Sequence, residues 1–349
     1  MDNCVIPHGY KATALGIIPQ EWEVMLLGNL SNSISSGRNK HRDAHGQYPV
    51  FGSTGIIGYS STYEYEGPVI LVARVGANAG TLNFASGQYD VSDNTLIITI
   101  KQNVYDYNFA YNQLTHYKLN KLVFGSGQPL ITSKQLKNIR IPVPPLAEQR
   151  KIAEVLGVWD KAIEKQARLI EKLALRKRAL MQRLLSAKLR LPGFSEPWKK
   201  VKLGDVAELY QPQTIQSEDL SQTGYPVYGA NGLIGYYNNY NHEYPQVVIT
   251  CRGSSCGTVN FTPGKCWITG NAMVLNVDNN RDVNKSFFYY LISNSSFVNL
   301  ISGSGQPQIV RQPLLKFELR IPPLKEQTAI AEVLTAADRE IDLAKEKLE

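Results

Sequence analysis

The sequence predicts an α+β chain: two tandem-repeat globular domains separated by long antiparallel coiled-coil helices and related by a pseudo-two-fold. Three observations carry that expectation. Blocks of residues return in the same order at an offset of about 177 positions. Within each copy, short β-rich segments alternate with glycine turns and one helical stretch. After each copy the prolines stop and apolar residues take up a 3-4 spacing.

Each copy starts at a proline-tryptophan opening, where Trp22 with Leu27-Gly28 returns as Trp198 with Leu203-Gly204. Tyr48-Pro-Val-Phe-Gly-Ser-Thr-Gly-Ile-Ile-Gly-Tyr59 returns as Tyr225-Pro-Val-Tyr-Gly-Ala-Asn-Gly-Leu-Ile-Gly-Tyr236. Gly80-Thr81-Leu82-Asn83-Phe84 returns as Gly257-Thr258-Val259-Asn260-Phe261, and Gly125-Ser126-Gly127-Gln128-Pro129 as Gly303-Ser304-Gly305-Gln306-Pro307. A globular unit plus a helix has been duplicated. The expected boundaries are 1–145 for the first domain, 146–190 for a central helix, 191–323 for the second domain and 324–349 for a C-terminal helix. Val69–Ala73, Leu96–Ile100, Val247–Cys251 and Met273–Val277 are rich enough in large apolar residues to be strands. Helical stretches are expected around Tyr107–Leu119 and Ser286–Ile301.

The central helix is expected from Leu146 to about Leu189. Glu148 and Gln149 fall in its first turn, where negative charge suits the positive end of the helix dipole. Its seam reads Ile152, Leu156, Trp159, Ile163, Gln166, Ile170, Leu173, Lys177, Leu180, Leu184, over roughly 65 Å at 1.5 Å per residue. The C-terminal helix repeats the seam as Ile330, Leu334, Ala337, Ile341, Ala344, Leu348. Residues 146–190 carry 12 Lys/Arg against 5 Asp/Glu, and residues 324–349 carry 4 against 7, so charge favours pairing the two. Gln166 and Lys177 are polar seam positions that fix register. An antiparallel pair brings the two domains to opposite ends. The second helix spans 26 residues, about 18 fewer than its counterpart, which leaves open a naturally short chain or a shortened form.

With 43% hydrophobic residues in 349, the chain has ample material for packed cores. No apolar run approaches the roughly 18 residues of a bilayer crossing, nothing resembles an export signal, and four cysteines, too few and too clumped for a disulfide framework, suit a reducing cytoplasm. The net charge of +7 sits entirely in the central helix, since the domains carry 11 Lys/Arg against 9 Asp/Glu and 10 against 9. There is no phosphate-loop motif, no dinucleotide fingerprint and no methyltransferase or helicase motif, so no catalytic residue is expected in this chain. His242, Cys251, Cys256 and Cys266 make a conceivable zinc set. The first copy has Ala73 and Ala79 around the positions of Cys251 and Cys256, so small buried cysteines and no metal are expected.

Pro144-Pro145-Leu146-Ala-Glu148-Gln149 followed by Ile152-Ala-Glu-Val-Leu156 returns as Pro322-Pro323-Leu324-Lys-Glu326-Gln327 with Ile330-Ala-Glu-Val-Leu334, each running on to Asp160 or Asp338. With the tryptophan openings and the two Gly-Ser-Gly-Gln-Pro loops, this chain resembles the specificity (S) subunit of type I restriction-modification enzymes over nearly its entire length. The resemblance implies two target recognition domains, each reading one half of a bipartite sequence in double-stranded DNA. It implies helices that set the unread spacer and dock two methyltransferase (M) subunits, with restriction (R) subunits completing the complex. S-adenosylmethionine, ATP and magnesium then belong to the partner subunits and no cofactor to this chain. The short final helix departs from the pattern and leaves complete M docking and self-association open.

Candidate DNA contacts follow from comparing the copies. Shared groups suit scaffold or phosphate contacts, and divergent ones suit base readers. The shared polar pairs are Arg74 with Arg252, Ser126 with Ser304, and Gln128 with Gln306; Asn94 and Asn271 also match, as turn caps. The divergent loops are Ser31–Gly46, with Arg38, Lys40, His41 and Arg42, and Leu209–Gly224, with Gln211, Gln213 and Gln216. Arg and Lys suit guanine, and Gln suits adenine. Asn78, Ser254, Ser255, Gln308 and Arg311 are further candidates. The central-helix cations Arg168, Lys172, Arg176, Lys177, Arg178 and Arg183 are expected to face protein rather than DNA. Two other readings stand: the recognition subunit of a different methyltransferase-nuclease system, or a two-headed carbohydrate-binding protein.

Overall fold

A computed structural model describes residues 6–40, 43, 45–125, 127–229, 232–303 and 305–348. They form two compact units, Met1–Ala162 and Ile163–Glu349, so the division falls inside the central helix rather than at its start. No helix among the described residues is long and apolar enough to cross a membrane.

Each unit is built on a four-stranded antiparallel sheet. In the first the order is Ser31–Ser36, Thr95–Ile100, Val69–Ala73, Leu82–Ala85; in the second it is Glu208–Tyr210, Ala272–Asn276, Val247–Thr250, Val259–Phe261. Val69–Ala73 is buried at every position because both faces of the sheet are covered, which is why it reads as an unbroken apolar run. Alternate residues then serve opposite layers. Ile70, Val72, Leu96 and Ile98 pack under Phe109 and Leu114 of the Tyr107–Tyr117 helix, while Val69, Leu71 and Ile97 pack on Tyr89 and Val91 of a second four-stranded sheet. The second unit repeats the layers, with Ile249 and Met273 under Phe287 and Phe288, and Val248 and Val274 over Ile268.

The Pro-Pro-Leu-x-Glu-Gln motif fastens helix to domain. Gln149 is fully buried. Its Oε1 accepts from the Asp106 N–H at 2.8 Å, and its Nε2 donates to the carbonyls of Val104 and Pro144, both at 2.9 Å. Gln327 repeats all three bonds, with the Asn284 N–H and the carbonyls of Asp282 and Pro322 at 2.9 Å. These glutamines are anchors rather than first-turn dipole partners. The preceding glutamates differ between copies. Glu148 accepts from the Trp22 indole at 3.1 Å, whereas Glu326 is buried and held by Arg190 at 2.6 and 2.8 Å. Trp198, the counterpart of Trp22, keeps a buried indole N–H with no partner among the described residues.

The central helix spans Leu146–Leu184, about 58 Å, and stops short of Leu189. Ala187 takes a left-handed backbone (φ 57°) and the Leu189 N–H turns back to the Arg183 carbonyl. Within the second unit it pairs antiparallel with Leu324–Glu346. Gln166 Nε2 donates to the Ala344 carbonyl at 2.6 Å, Lys177 pairs with Asp338, and Arg176 pairs with Glu340 at 3.2 Å. Both polar seam positions therefore bond across the helix pair. Leu184, Ile330, Leu334 and Ile341 are buried, and Ile170, Leu173 and Leu180 are half-buried. The expected seam fails at its outer end. Ile152 packs against the core of its own unit, and Leu156, Trp159 and Ile163 are 40%, 65% and 52% exposed, as is Leu348 at 39%. Gln166 is already level with the last turn of the shorter helix. Of the helix cations, Arg168 pairs with Glu164 of its own helix, and Lys172, Arg178 and Arg183 make no ion pair among the described residues.

Candidate nucleic-acid interface

Three shared segments meet at one end of each sheet. In the first unit the chain leaving Val69–Ala73 donates from the Arg74 N–H to the Asn94 carbonyl and from the Gly76 N–H to the Pro129 carbonyl, both at 2.9 Å. The second unit has the Cys251 N–H on the Asn271 carbonyl and the Gly253 N–H on the Pro307 carbonyl, both at 3.0 Å. The Gly-Ser-Gly-Gln-Pro loop therefore lies beside the glycine turn at 76–80 or 253–257. Gly80 is required there: its φ is +88°, and an added Cβ would lie 2.6 Å from the Asn120 nitrogen.

Those bonds correct the arginine pairing. Gly76 matches Gly253, so Arg74 stands where Cys251 stands and Arg252 where Val75 stands. The two arginines are one residue apart in register and project to opposite sides of an extended chain. Arg74 is half-buried and donates to the Ser36 hydroxyl at 3.1 Å; Arg252 is exposed. Matching by residue type across a 177-residue offset concealed the shift. Both arginines pass from the shared set to the divergent set.

The divergent segments rest on the shared turn in both units. Ser31–Ser36 and Leu209-Tyr210 turn out to be strand rather than loop, so the free segments begin at Gly37 and Gln211. In the first unit, Gly37 donates to the Thr95 carbonyl, Arg38 and Asn39 both donate to the Val91 carbonyl, and Lys40 sits 4.0 Å from Asp93. Arg38 lies 3.8 Å from Glu64, and the Arg38 and Lys40 side chains are 82% and 73% exposed. In the second unit, Gln211 Nε2 donates to the Gly270 carbonyl at 2.9 Å and the Trp267 indole donates to the Gln213 carbonyl at 3.3 Å. The far ends of both segments also match. The Asp43 N–H bonds the Tyr59 carbonyl at 2.9 Å, and the Ser221 N–H bonds the Tyr236 carbonyl at 2.8 Å.

Arg38, Lys40, Arg74, Asn78 and Gln128 thus belong to segments joined at that end of the first unit's sheet, as do Gln211, Gln213, Arg252, Ser254, Ser255, Gln306 and Gln308 in the second. Asn78, Gln128, Gln213, Ser254, Gln306 and Gln308 are exposed. His41, Arg42, Ser126 and Ser304 lie outside the described residues. Arg311 goes elsewhere, lining a groove of about 660 Å³ with Glu208, Asn276 and Asp282. Ser36, which holds Arg74, was missed because nothing in the polar run Ser-Asn-Ser-Ile-Ser-Ser distinguishes it.

His242 exchanges both backbone hydrogen bonds with Cys266, at 3.1 Å, but Cys251 lies in a different layer from them. Cys251 packs in the helix-side core and Cys266 in the layer between the sheets. Burial, with Cys256 nearby, pushes the Cys251 thiol up to about 11, which favours the protonated form over a ligating thiolate. His242 stacks on Tyr210, bonding its hydroxyl at 3.0 Å and Asn241 at 2.6 Å, and its burial lowers its pKa.

The family described as "Type I restriction modification DNA specificity domain" matches the chain twice, over residues 19–174 and 195–349. The specificity subunit of the type I restriction enzyme MjaVIII of Methanocaldococcus jannaschii is 23% identical, over 95% of this chain and 89% of its own length. A putative type I restriction enzyme specificity subunit of Haemophilus influenzae is 23% identical, over 90% and 86%. The fold is shared with the crystal structure of the type I restriction-modification S subunit from M. genitalium, with a TM-score of 0.70 at 20% identity, covering 94% of this chain and 92% of that one.

Proposed function

The chain belongs to the type I restriction-modification DNA specificity family, and from that membership we propose that each repeat reads one half of a bipartite duplex target. As a specificity subunit with two tandem domains it binds DNA within a restriction-modification complex. Its helices dock two methyltransferase subunits and govern the number of unread base pairs, and restriction subunits complete the assembly. S-adenosylmethionine, ATP and magnesium belong to those partners. This chain recognises without catalysing, in the cytoplasm.

The observation that carries the reading is the placement of differing segments on a shared turn in both repeats. Glycine-rich loops with exposed amides and glutamines suit phosphate oxygens, which fix register without encoding sequence. The segments laid beside them carry Arg38 and Lys40 in one unit and Gln211 and Gln213 in the other, donors of different base preference. Near-neutral domains hold DNA weakly by charge alone, so a partner that adds phosphate contacts is expected.

Methylome sequencing of a host carrying this chain with its methyltransferase partner tests the reading. The expected mark is a two-part motif around an unread gap. Arg38→Gln should alter only one part and Gln211→Ala only the other. A single uninterrupted motif, or variants that alter both parts alike, refutes it.

A further inference from the structure

One shared hairpin carries, besides its core and segment contacts, side chains that serve neither. Tyr48–Gly52 pairs with Gly55–Ser60 as a hairpin, and Tyr225–Gly229 pairs with Gly232–Tyr237. Near each tip stand two consecutive apolar residues in the open: Ile56 at 53% and Ile57 at 39% exposed, Leu233 at 51% and Ile234 at 47%. A lone exposed apolar residue needs no account. A pair kept at the same place in both copies does.

The hairpins are built to present that pair. A Cβ added at Gly52 would lie 2.5 Å from Ile57 Cδ1, and one at Gly229 would lie 3.1 Å from Ile234 Cγ2. The second residue of each pair therefore lies across a seat that glycine leaves open. Gly55 and Gly232 turn the chain at φ +96° and +97°. Ile56 and Leu233 remain, more than half exposed, on the rim of the reading face. In the first unit Val50 and Phe51 pair with Asp90 and Val91, which lead into the shared turn; in the second, Val227 and Tyr228 pair with Trp267 and Ile268. Ser53 Oγ donates to the Asn94 carbonyl at 3.2 Å, the acceptor that also receives the Arg74 N–H. The far end of each reading segment is bonded to the same hairpin.

We propose that Ile56 and Leu233 are apolar wedges that seat against a base step of duplex DNA, one in each half-site. The proposal rests on the reading that each repeat binds DNA. Exposed cations at Arg38, Lys40 and Arg252 favour a polyanion over an apolar protein surface. Within a duplex the apolar partners are base faces and thymine methyls. A branched aliphatic side chain pressed into a step by flanking phosphate contacts loosens its stacking. Because both copies keep the wedge, it adds affinity and shape reading without encoding the difference between the half-sites.

The test uses the full chain assembled with its methyltransferase subunit. The probe is a duplex carrying the methylation-mapped target, with 2-aminopurine placed at successive steps of each half-site. The parent complex should raise fluorescence at one step per half-site. Ile56→Ser should abolish the rise in one half only and weaken binding about tenfold, the scale of re-exposing half an aliphatic side chain. Leu233→Asn should do the same in the other half, with melting temperature and methylated motif unchanged. Parental affinity and fluorescence in both variants overturn the proposal alone, as does lost methyltransferase association with an undisturbed DNA signal. A parent complex that retains no DNA overturns both the proposal and the reading beneath it.

Discussion

Replacing Gln149 with leucine separates an anchoring glutamine from a mere helix-start residue. The side chain is fully buried and makes three hydrogen bonds, to the Asp106 N–H and the Val104 and Pro144 carbonyls. Leucine fills much the same volume and offers no polar atom. Each stranded backbone group costs about 1–3 kcal/mol, and the added apolar burial returns about 1–2 kcal/mol. At mid-range values the net loss is about 4.5 kcal/mol, or roughly 9–18 °C in the melting of a unit this size. Hydrogen exchange localises the damage: amides near Asp106–Ala110 should lose protection while those near Asn284–Phe288 keep it. Gln327→Leu should produce the mirror result, because Gln327 makes the same three bonds. A loss below about 1 kcal/mol for either variant, or protection lost equally in both places, refutes the anchoring argument.

Four further outcomes are expected. Arg190→Ala strands the buried Glu326 carboxylate and should cost about 3–5 kcal/mol by urea denaturation, against about 0–1 for Arg176→Ala at a solvent-exposed pair; equal costs contradict this. Trp22→Phe should destabilise by about 1.5–3 kcal/mol more than Trp198→Phe, because only the Trp22 indole bonds a carboxylate. The folded chain takes a proton at His242 less readily than the unfolded chain. Its contribution is therefore intact above about pH 6.5 and lost as pH falls below that through the lowered folded value. Scanning calorimetry between about pH 7.5 and 5.5 should show a decline that His242→Gln flattens. Arg252→Gln should change one half of the methylated motif and leave the other intact, since Arg252 has no arginine counterpart in register; a uniform loss across both halves counts against it.

The duplication, the two sheets' central strands and the long helix were legible because each has its own signature. Val69–Ala73 is buried on both faces and so is apolar throughout, and the helix carries one seam without proline. The helix end was not legible, because a left-handed turn there falls on Ala187 rather than on glycine. Ser31–Ser36 gives no strand signal in the sequence because an edge strand of mostly serines shows no apolar alternation; its partner Thr95–Ile100 imposes its extended form. The arginine register is hidden in the sequence because residues of one type stand a single position apart in the two copies. The reading face itself was half visible. Its charged and glutamine-rich segments stood out by divergence, but only folding shows that both rest on the Asn94 or Asn271 turn.

That seating has a consequence for how such proteins change. Each variable segment is tied at both ends mainly through main-chain groups, as at Gly37 and Asp43, and the side chains of Arg38, Lys40, Gln211 and Gln213 stand exposed rather than inside packed layers. A stretch fastened by its backbone can be lengthened, trimmed or traded while the hydrophobic layers go undisturbed. Lineages can therefore acquire new vocabulary at little thermodynamic risk, since the cost of error falls on recognition and not on survival of the scaffold.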